Sequence, residues 1–370
     1  MFRVGGPASP YDPTYHLLLR FDKIAEIVRR ERPDVLEVHS PYLAALGALR
    51  SPPEAFGVRT FQWHSDFIDT YAGVLESHLA AKGAARVLGR AVSPATRPLW
   101  ALVRAIARRC DATLVAAEWQ VAKLAGHGVP RVVRVPFGIE RETFRPDARS
   151  FEGRRELLAL AGRDVRGETA ILVGLGRFAI EKRWDVVLDA FRRVRDGGRD
   201  AVLVVFGDGP ERDRMVARAG GTGDVVFPGF LKDRAALARA LASADLLVHG
   251  CPFETFGLSI AEAMACGLPA VLPDEGGAAE MHAEGASLRY RSGDADACAR
   301  AVEAMLDRLA RAPGAARAAA VRATSRLPSV VEQFEGQVAL YTELLERRGK
   351  AAGSRRGVAP GRDPRNHAGP

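Results

Sequence analysis

The chain has 370 residues and a formal net charge of +8; 47% of its residues are apolar and 26% are charged, and its isoelectric point is near 9.6. This length is too great for one average core and predicts a soluble protein of two domains. No run of 18 apolar residues occurs, which argues against a membrane-spanning helix, and the polar, Pro-rich N-terminus lacks the apolar region of a signal peptide.

The first predicted element is a helix over 16–33, and four short β-branched strands follow it in the first half of the chain. A doubly wound domain normally opens with a buried strand and a Gly-containing turn, and we find neither ahead of this helix. We therefore expect the first domain, residues 1–145, to lack its opening strand and loop. Its four strands are predicted at 34–40, 58–65, 112–117 and 132–138.

The second half alternates strands with longer amphipathic segments, a pattern typical of a parallel sheet covered by helices. Its strands are mostly continuous apolar runs, as strands buried on both faces should be. We expect an interdomain linker from about 140 to 168 and a second domain over 165–325. A terminal helix is predicted at 326–348, followed by a disordered Gly-, Pro- and Arg-rich tail at 349–370. The strands of this half are predicted at 171–176, 201–207, 225–230, 245–250, 269–274 and 287–290.

Residues at strand ends are the first candidates for a site, because ligands of open α/β sheets bind beyond the carboxyl ends of the strands. Arg177 and Lys182 follow the strand at 171–176, and a planar fork of donors with a compact charge suits a diphosphate. Taken alone, the two residues are better explained as a solvated basic loop. Asp208 and Gly209 follow the next strand, where a tight turn and a position near a nucleotide base are equally good interpretations.

The segment FETFGLSIAEAMACGLP, residues 253–269, predicts a helix that begins near Gly257. The N–H groups and dipole at a helix start favour an anion, and glycine lets that backbone approach a ligand closely. Glu254 precedes the helix and Glu262 lies roughly 12 Å further along its axis. Carboxylates so far apart would hold two ends of an extended ligand. The alternative is that Glu254 caps the helix and Glu262 is a surface residue, but the apolar neighbours of Glu262 favour burial, which requires a partner.

Two histidines end strands of the first half. His64 would face the same cleft if the two halves of the chain oppose each other. His39 is similarly placed after the first strand and is interpreted as structural, since a lone histidine is more often structural than catalytic.

Several segments occur in the order and spacing found in one family. The stretch 31–345 resembles the retaining GT-B glycosyltransferases of family 4 (glycosyl transferases group 1). The series of motifs is more specific than any one of them. Those of the second half are GRFAIEKRWDVVLDAF, VVFGDGPERD, FPGFLKDRAALARALASADLLV and FETFGLSIAEAMACGLPAVLPDEGGAAE; those of the first are RPDVLEVHSPYLAA, WHSDF and VPFGIERETFRPD.

The resemblance implies two Rossmann-like domains that face a deep cleft, with the C-terminal helix returning to the first domain. It implies a donor that is a GDP- or UDP-linked hexose, mannose or glucose, and a lipid-linked or saccharide acceptor, with retained anomeric configuration. No metal ion or cofactor is expected, and we identify no Asp-x-Asp metal motif. The implied roles are diphosphate binding by Arg177 and Lys182, ribose binding by Glu262, contact with the donor sugar by His64, and donor sugar and phosphate binding by Glu254 with the backbone of Phe256, Gly257 and Leu258.

A basic segment raises the question of a membrane. Residues 77–110 hold seven Lys and Arg and no acid, interleaved with apolar side chains. Such a segment suits an anionic lipid surface, which would make the protein peripheral on the inner face of the cell membrane, but a helix packing its apolar side inward explains it equally well. No nucleic-acid-binding module is recognisable. The four cysteines form no CxxC pair, so we expect reduced thiols in a cytoplasmic protein.

Other functions are compatible with parts of this pattern. A truncated, non-catalytic homologue would bind a nucleotide sugar or a membrane without turnover, and the missing opening strand favours it. A sugar-nucleotide epimerase or a nucleotide-releasing hydrolase would act without an acceptor. The presence of Arg177, Lys182, Glu254 and Glu262 together favours the hexosyltransferase.

Overall fold

The computed structural model describes residues 4–8, 16, 18, 20–39, 43–70, 72–73, 85–165 and 168–356. Within them, the strands form two separate sheets, and each pair of neighbouring strands is parallel. The first sheet has the order β1-β2-β3-β4 and the second has the order β10-β9-β8-β5-β6-β7. The strands are β1 Val35–Val38, β2 Val58–Gln62, β3 Ala112–Val115, β4 Val132–Arg134, β5 Ala170–Leu175, β6 Ala201–Phe206, β7 Val225–Gly229, β8 Leu246–Val248, β9 Ala270–Pro273 and β10 Ser287–Tyr290.

Helices connect the strands, as parallel pairing requires. Short 3-10 turns lie at Pro53–Ala55, Pro146–Ala148 and Ile180–Lys182. The helices are α1 Phe21–Glu31, α2 Leu43–Leu49, α3 Ala85–Arg108, α4 Glu118–Gly126, α5 Phe151–Leu160, α6 Trp184–Asp196, α7 Arg212–Ala219, α8 Arg234–Ser243, α9 Leu258–Ala265, α10 Gly276–Glu280, α11 Ala295–Arg311, α12 Pro313–Thr324 and α13 Val330–Arg356.

Each predicted strand region overlaps an observed strand, and the reason is visible in β6. Every residue of Ala201–Phe206 is buried, so its apolar run packs against helices on both faces of the sheet. The strands end earlier than predicted in the first half: residues 63–65 and 135–138 leave the sheet and form loops at its carboxyl edge. Those loops carry the residues that face the second half of the chain.

The second sheet contains a topological switch point between β5 and β8. The strands that follow β5 in sequence, β6 and β7, lie on one side of it, and those that follow β8, β9 and β10, lie on the other. The loops that follow β5 and β8 therefore diverge and leave a crevice at the carboxyl edge, where ligands of open α/β sheets bind. Strands β5 and β6 pair in register from Ala170 with Ala201 to Leu175 with Phe206, so their loops leave the sheet at the same level.

The region expected to be an interdomain linker contains helix α5, which packs with the second sheet. Ser150 caps this helix by accepting a hydrogen bond from Gly153 N at 3.0 Å. Leu157 and Leu158 are buried in the core cluster that also contains residues of β5, β6 and β9. An N-cap serine followed by a pair of leucines is a local helix signal, which the polar composition of the segment obscured.

The terminal helix α13 lies against the first sheet and its loops. Gly138 N donates to Gln333 Oε1 at 2.7 Å, and Arg348 Nη2 donates to Pro53 O at 2.9 Å. The helix ends at Arg356, eight residues beyond the expected end at 348, since alanine, lysine and arginine of this stretch are good helix formers. Residues 357–370 of the expected tail lie outside the described residues.

The basic segment 77–110 lies partly outside the described residues, which resume here at Ala85 in helix α3. The side chains of Trp100, Val103 and Ile106 are buried in the core of the first half, so they face inward. Leu99 and Leu102 remain 38% and 40% exposed. Among the helices that the structure describes, we find none with the length and apolar character needed to cross a membrane.

Candidate active site

The loops after β5 and β6 form one side of a cleft of about 950 Å³ at the switch point. Trp184 Nε1 donates to the carbonyl oxygen of Arg177 at 2.9 Å and holds the first loop. Phe178 N donates to the carbonyl oxygen of Asp208 at 2.8 Å, which joins the two loops, and Asp208 Oδ1 accepts from Gly209 N at 2.8 Å. The side of the cleft that carries Arg177 is therefore fixed by backbone contacts.

The cleft brings together four of the predicted residues and several that sequence reasoning missed. The missed residues lie in the loop after β7 and at the start of helices α8 and α9. The loop after β7 also lies at a strand end, so the argument that was used for β5 would have identified it. The predicted lining residues are Arg177, Asp208, Gly209 and Glu262, and the additional ones include Phe230, Lys232, Arg234 and Ser259.

Glu262 is 7% exposed and has the partner that a buried carboxylate requires. Its Oε1 accepts a hydrogen bond from Arg234 Nη2 at 2.8 Å, and Arg234 Nε donates to Glu140 Oε2 at 2.6 Å. Asp233 caps helix α8 by accepting from Ala235 N, which places Arg234 at the first helical position. Burial raises the pKa of Glu262 even though Arg234 opposes the shift.

Lys182 and Glu254 form a second centre next to the first. Lys182 Nζ donates to Glu254 Oε1, and His249 Nε2 lies 3.4 Å from the same oxygen. Burial opposes both charges, but the attraction between them prevails, so the pKa of Lys182 is raised and that of Glu254 is lowered. The two residues that we expected to contact different parts of a ligand thus contact each other across 72 positions of sequence.

Cys251 completes a group that resembles a metal site. The possible ligand atoms of His249, Cys251 and Glu254 lie within 4.8 Å of one another, and this is the one such group among the described residues. Lys182 already supplies a positive charge at Glu254 Oε1, so a metal ion would have to displace it. Burial raises the pKa of the Cys251 thiol to about 12, which further disfavours a thiolate ligand. The four cysteines, Cys110, Cys251, Cys266 and Cys298, are buried free thiols.

One Asp-x-Asp triplet does occur in the sequence, at 294–296, which corrects the expectation that there is none. Asp294 caps helix α11 by accepting from Ala297 N at 2.8 Å. Asp296 accepts a hydrogen bond from Arg193 Nε. Both carboxylates have structural partners, because the triplet spans a helix start.

Helix α9 begins at Leu258, as predicted, with Gly257 as its N-cap. Gly257 has a φ of +89°, a conformation that favours glycine, and no side chain caps the first turn. Gly277 packs against this loop so closely that a Cβ would lie 2.8 Å from Phe256 N, and its N–H donates to the carbonyl oxygen of Glu254 at 2.7 Å. The helix start therefore presents backbone N–H groups from a braced loop, which suits an anion.

His64 meets this loop from the first sheet. The hydroxyl of Thr255 donates to His64 O at 3.0 Å. The His64 ring stacks on Phe137 with centroids 5.8 Å apart, and Phe137 contacts the buried ring of Phe256 edge-on at 5.4 Å. The histidine thus lies beside the Glu254–Leu258 loop, although the side chains of Lys182, Glu254 and His64 are not among those that line the cleft.

The two halves of the chain are also joined at the start of helix α4. Glu280 accepts hydrogen bonds from the backbone N–H groups of Glu118 and Trp119, each at 3.0 Å, so a carboxylate from the second half caps a helix of the first. Trp119 Nε1 donates to Thr255 O at 3.0 Å. The loops after β2, β3 and β4 consequently face those after β8 and β9, carboxyl edge to carboxyl edge.

We expect Glu280→Ala to lower the free energy of unfolding by about 1–2 kcal/mol, because it removes both acceptors from a helix start. Urea unfolding measures this loss. Glu284→Ala, an exposed glutamate four residues on, is the matched control. Equal midpoints for the two variants would contradict the capping role of Glu280.

Two parallel α/β domains that meet at the carboxyl edges of their sheets, with the terminal helix returning to the first, define a GT-B fold. Solved structures agree. Sucrose-phosphate synthase from Thermosynechococcus elongatus aligns with a TM-score of 0.70 and 21% identity, over 92% of this chain and 82% of that one. Anabaena HepE in complex with UDP and glucose aligns with a TM-score of 0.68 and 17% identity, over 86% and 81% of the two chains.

Sequence comparison gives the family. Residues 3–143 match the family described as glycosyltransferase family 4, and residues 169–308 match glycosyl transferases group 1. A GDP-mannose-dependent alpha-(1-6)-phosphatidylinositol dimannoside mannosyltransferase of Mycobacterium tuberculosis is 30% identical over 272 residues, 73% of this chain. A GDP-mannose-dependent alpha-mannosyltransferase of Mycolicibacterium smegmatis is 33% identical over 255 residues, 69% of this chain. The chain belongs to the family 4 (group 1) glycosyltransferases.

The aligned residues make up a smaller share of each relative than of this chain. They cover 65% of the length of the M. tuberculosis protein and 60% of the length of the M. smegmatis protein.

Proposed function

We propose that this protein is a retaining, metal-independent hexosyltransferase that moves mannose from GDP-mannose to a lipid-linked or saccharide acceptor. The observation that carries the proposal is the cleft at the switch point, where Arg177, Lys232 and Arg234 line the same space as the buried Glu262. The names of the two mannosyltransferase relatives favour mannose and guanine over the glucose and uracil that the family also allows.

The shape and charge of the site suggest how the donor lies in it. Glu262, held by Arg234, would accept hydrogen bonds from the ribose hydroxyls, and Arg177 and Lys182 would bind the diphosphate. Asp208 and Gly209 line the cleft and would lie on the side of the base. The transferred sugar would lie beyond the phosphates, toward Glu254, the helix start at Phe256, Gly257 and Leu258, and His64.

The chemistry follows from where charge develops. When the bond to the sugar breaks, negative charge grows on the oxygens of the departing diphosphate, and fixed cations and helix N–H groups stabilise it. Glu254 and Glu262 each pair with a different cation, so neither is arranged as one half of an acid–nucleophile pair. Because Lys182 supplies the positive charge at the second centre, we propose a mechanism without a metal ion.

The experiment is a transfer assay with labelled GDP-mannose, UDP-glucose and related donors, with lipid acceptors presented in anionic vesicles. We expect GDP-mannose to give a mannosylated product with an α linkage, at the same rate with and without EDTA. Binding of the donor without any product would favour the non-catalytic homologue, and release of free mannose without an acceptor would favour a hydrolase. A β-linked product would contradict retention.

Phe230 gives a test of where the base binds. Its ring is 71% exposed at the edge of the cleft, where a base could stack on it. We expect Phe230→Ala to weaken GDP binding by about 1–3 kcal/mol, the usual effect of losing one stacked base, without changing stability. Calorimetric titration with GDP measures the affinity. Phe334→Ala, which truncates a 57%-exposed phenylalanine of helix α13, is the control; equal GDP affinities of the two variants would place the base elsewhere.

We also propose that the protein acts at the inner surface of the cell membrane. Leu99 and Leu102 of helix α3 are exposed beside Arg97 and Arg104, which suits contact with an anionic lipid surface. A lipid acceptor would require such contact, and the vesicles of the transfer assay supply it.

A further inference from the structure

Hydrogen bonds link the terminal helix to His64 through Glu37 and His39, and we call Glu37, His39 and His64 the relay. Glu37 lies on strand β1, and its Oε1 accepts hydrogen bonds from Gln62 Nε2 and from Gln337 Nε2, each at 2.8 Å, and from the hydroxyl of Tyr341. Gln62 is on the neighbouring strand, and the other two donors are on helix α13. Donors from two elements therefore hold the carboxylate in one orientation.

His39 joins this carboxylate to His64. His39 Nε2 lies 3.4 Å from Glu37 Oε2, and His39 Nδ1 lies 2.6 Å from His64 Nε2. The two rings are inclined by 21° with their centroids 4.8 Å apart. His39, interpreted from sequence as merely structural, is thus the sole link that the described residues show between Glu37 and His64.

The protonation states follow from these contacts. Burial favours the neutral form of Glu37, but hydrogen bonds from His39, Tyr341 and Gln62 outweigh it and lower the pKa of Glu37 to about 2. The carboxylate is therefore ionised at neutral pH and accepts a hydrogen bond from the Nε2–H group of His39. Burial, and then the neighbouring His39, lowers the pKa of His64, which favours its neutral form. With both rings neutral, the proton between them belongs to His64 Nε2, and His64 Nδ1 is an acceptor.

We propose that Glu37 and His39 are positioning residues that fix the tautomer of His64, so that His64 Nδ1 accepts a hydrogen bond from a hydroxyl of the transferred sugar. This inference rests on the proposed function, which brings the sugar to His64. In the opposite tautomer the His64 proton would lie on Nδ1, and the acceptor for the sugar hydroxyl would be lost.

Glu37→Gln tests the role of the carboxylate. A carboxylate can only accept a hydrogen bond, whereas the amide of glutamine can also donate one, so the variant no longer fixes one tautomer of His39 and His64. Burial raises the pKa of Tyr341 to about 12, so it remains a donor at this position.

Kinetics separate positioning from structure. For His39→Ala we expect kcat to fall about tenfold, as for the loss of one hydrogen bond, with the KM for GDP-mannose within about twofold of the parent value. His39→Gln should recover most of the loss, because its amide can donate to Glu37 and accept from His64. His127→Phe removes a histidine that stacks on Trp100, away from Glu37, His39 and His64, and should leave kcat unchanged. Unchanged kcat in His39→Ala would overturn the proposal.

Nitrogen-15 NMR of the histidine rings reads the tautomer without turnover. His64→Gln identifies the His64 signals. We expect the Nε2–H tautomer of His64 in the parent protein at neutral pH and a mixture in Glu37→Gln. A parent protein with Nδ1–H, or a variant with an unchanged tautomer, would refute the relay. A parent protein that forms no product in the transfer assay would instead refute the proposed function, and the NMR result would still decide whether the relay exists.

Discussion

Lys182→Met is expected to reduce sugar transfer by roughly 10²–10³-fold in kcat, the usual effect of removing one preorganised group that stabilises developing charge. The transfer assay with GDP-mannose measures it. The loss has two physical sources. The variant lacks the ammonium proposed to bind the departing diphosphate, and it leaves the largely buried Glu254 carboxylate without its cation. The two sources have to be separated before the loss is assigned to catalysis.

A double-mutant cycle separates them. Lys182→Met alone should lower the free energy of unfolding by about 3–5 kcal/mol, because it leaves a buried charge unpaired. Glu254→Gln added to it removes that charge and should recover most of the stability but none of the activity. Recovery of transfer in the double variant would contradict a role of Lys182 in the reaction, and additive losses of stability would contradict the coupling of the pair.

The pH dependence of stability changes sign in the same cycle. In the parent protein the pKa of Glu254 is lowered, so the pair stabilises the fold above the ordinary carboxyl pKa, and this stabilisation is lost as the pH falls. In Lys182→Met, burial without the cation raises the pKa of Glu254. The folded state then binds a proton more readily than the unfolded state, and stability increases as the pH falls toward the ordinary carboxyl pKa. Urea unfolding at several pH values between about 3 and 8 distinguishes the two proteins: the parent loses stability below the ordinary carboxyl pKa of about 4.3, whereas the variant gains stability as the pH falls toward it.

Glu262→Ala is expected to remove most of the stabilisation of the protein by GDP-mannose. A ligand present at about 100 times its Kd stabilises the native state by about 2.7 kcal/mol. Hydrogen bonds to a charged group contribute about 1.5–3 kcal/mol, so the loss of the ribose contacts cancels most of the effect at the same concentration. Thermal unfolding with and without GDP-mannose measures it.

Glu140→Ala is the matched control for this variant. Glu140 shares Arg234 with Glu262 but is not among the residues that line the cleft. We therefore expect it to preserve the shift, because Arg234 keeps Glu262 as its partner. An equal shift in Glu262→Ala and the parent protein would show that the ribose does not bind at Glu262.

The candidate site was predictable where it depended on chain order along single strands. Arg177, Asp208 and Gly209 follow β5 and β6 in the sequence, and a strand that ends at the carboxyl edge must deliver the residues that follow it to that edge. Glu262 was recognised as buried from its apolar neighbours. Its partner Arg234 was not recognised, because 28 residues and a strand separate the two.

The resemblance suggested that His64 is near the donor sugar, and the structure places it beside the Glu254–Leu258 loop. Nothing local to either histidine indicated that His39 lies against it, since the contact depends on the pairing of β1 with β2. Glu37 was missed for the same reason: two of its partners lie about 300 positions away on the terminal helix.

By itself, the sequence determined the two parallel sheets, the order of their elements and the strand ends at which a ligand would bind. Apolar runs and helical periodicity are properties of neighbouring residues, and burial of such runs is favourable in almost any arrangement of the helices around them. Only the tertiary structure decided which cation neutralises which carboxylate, and which histidine orients the other. Those pairings join residues from separate loops, and a shift of a few ångströms in how the two domains and the terminal helix pack would exchange or break them.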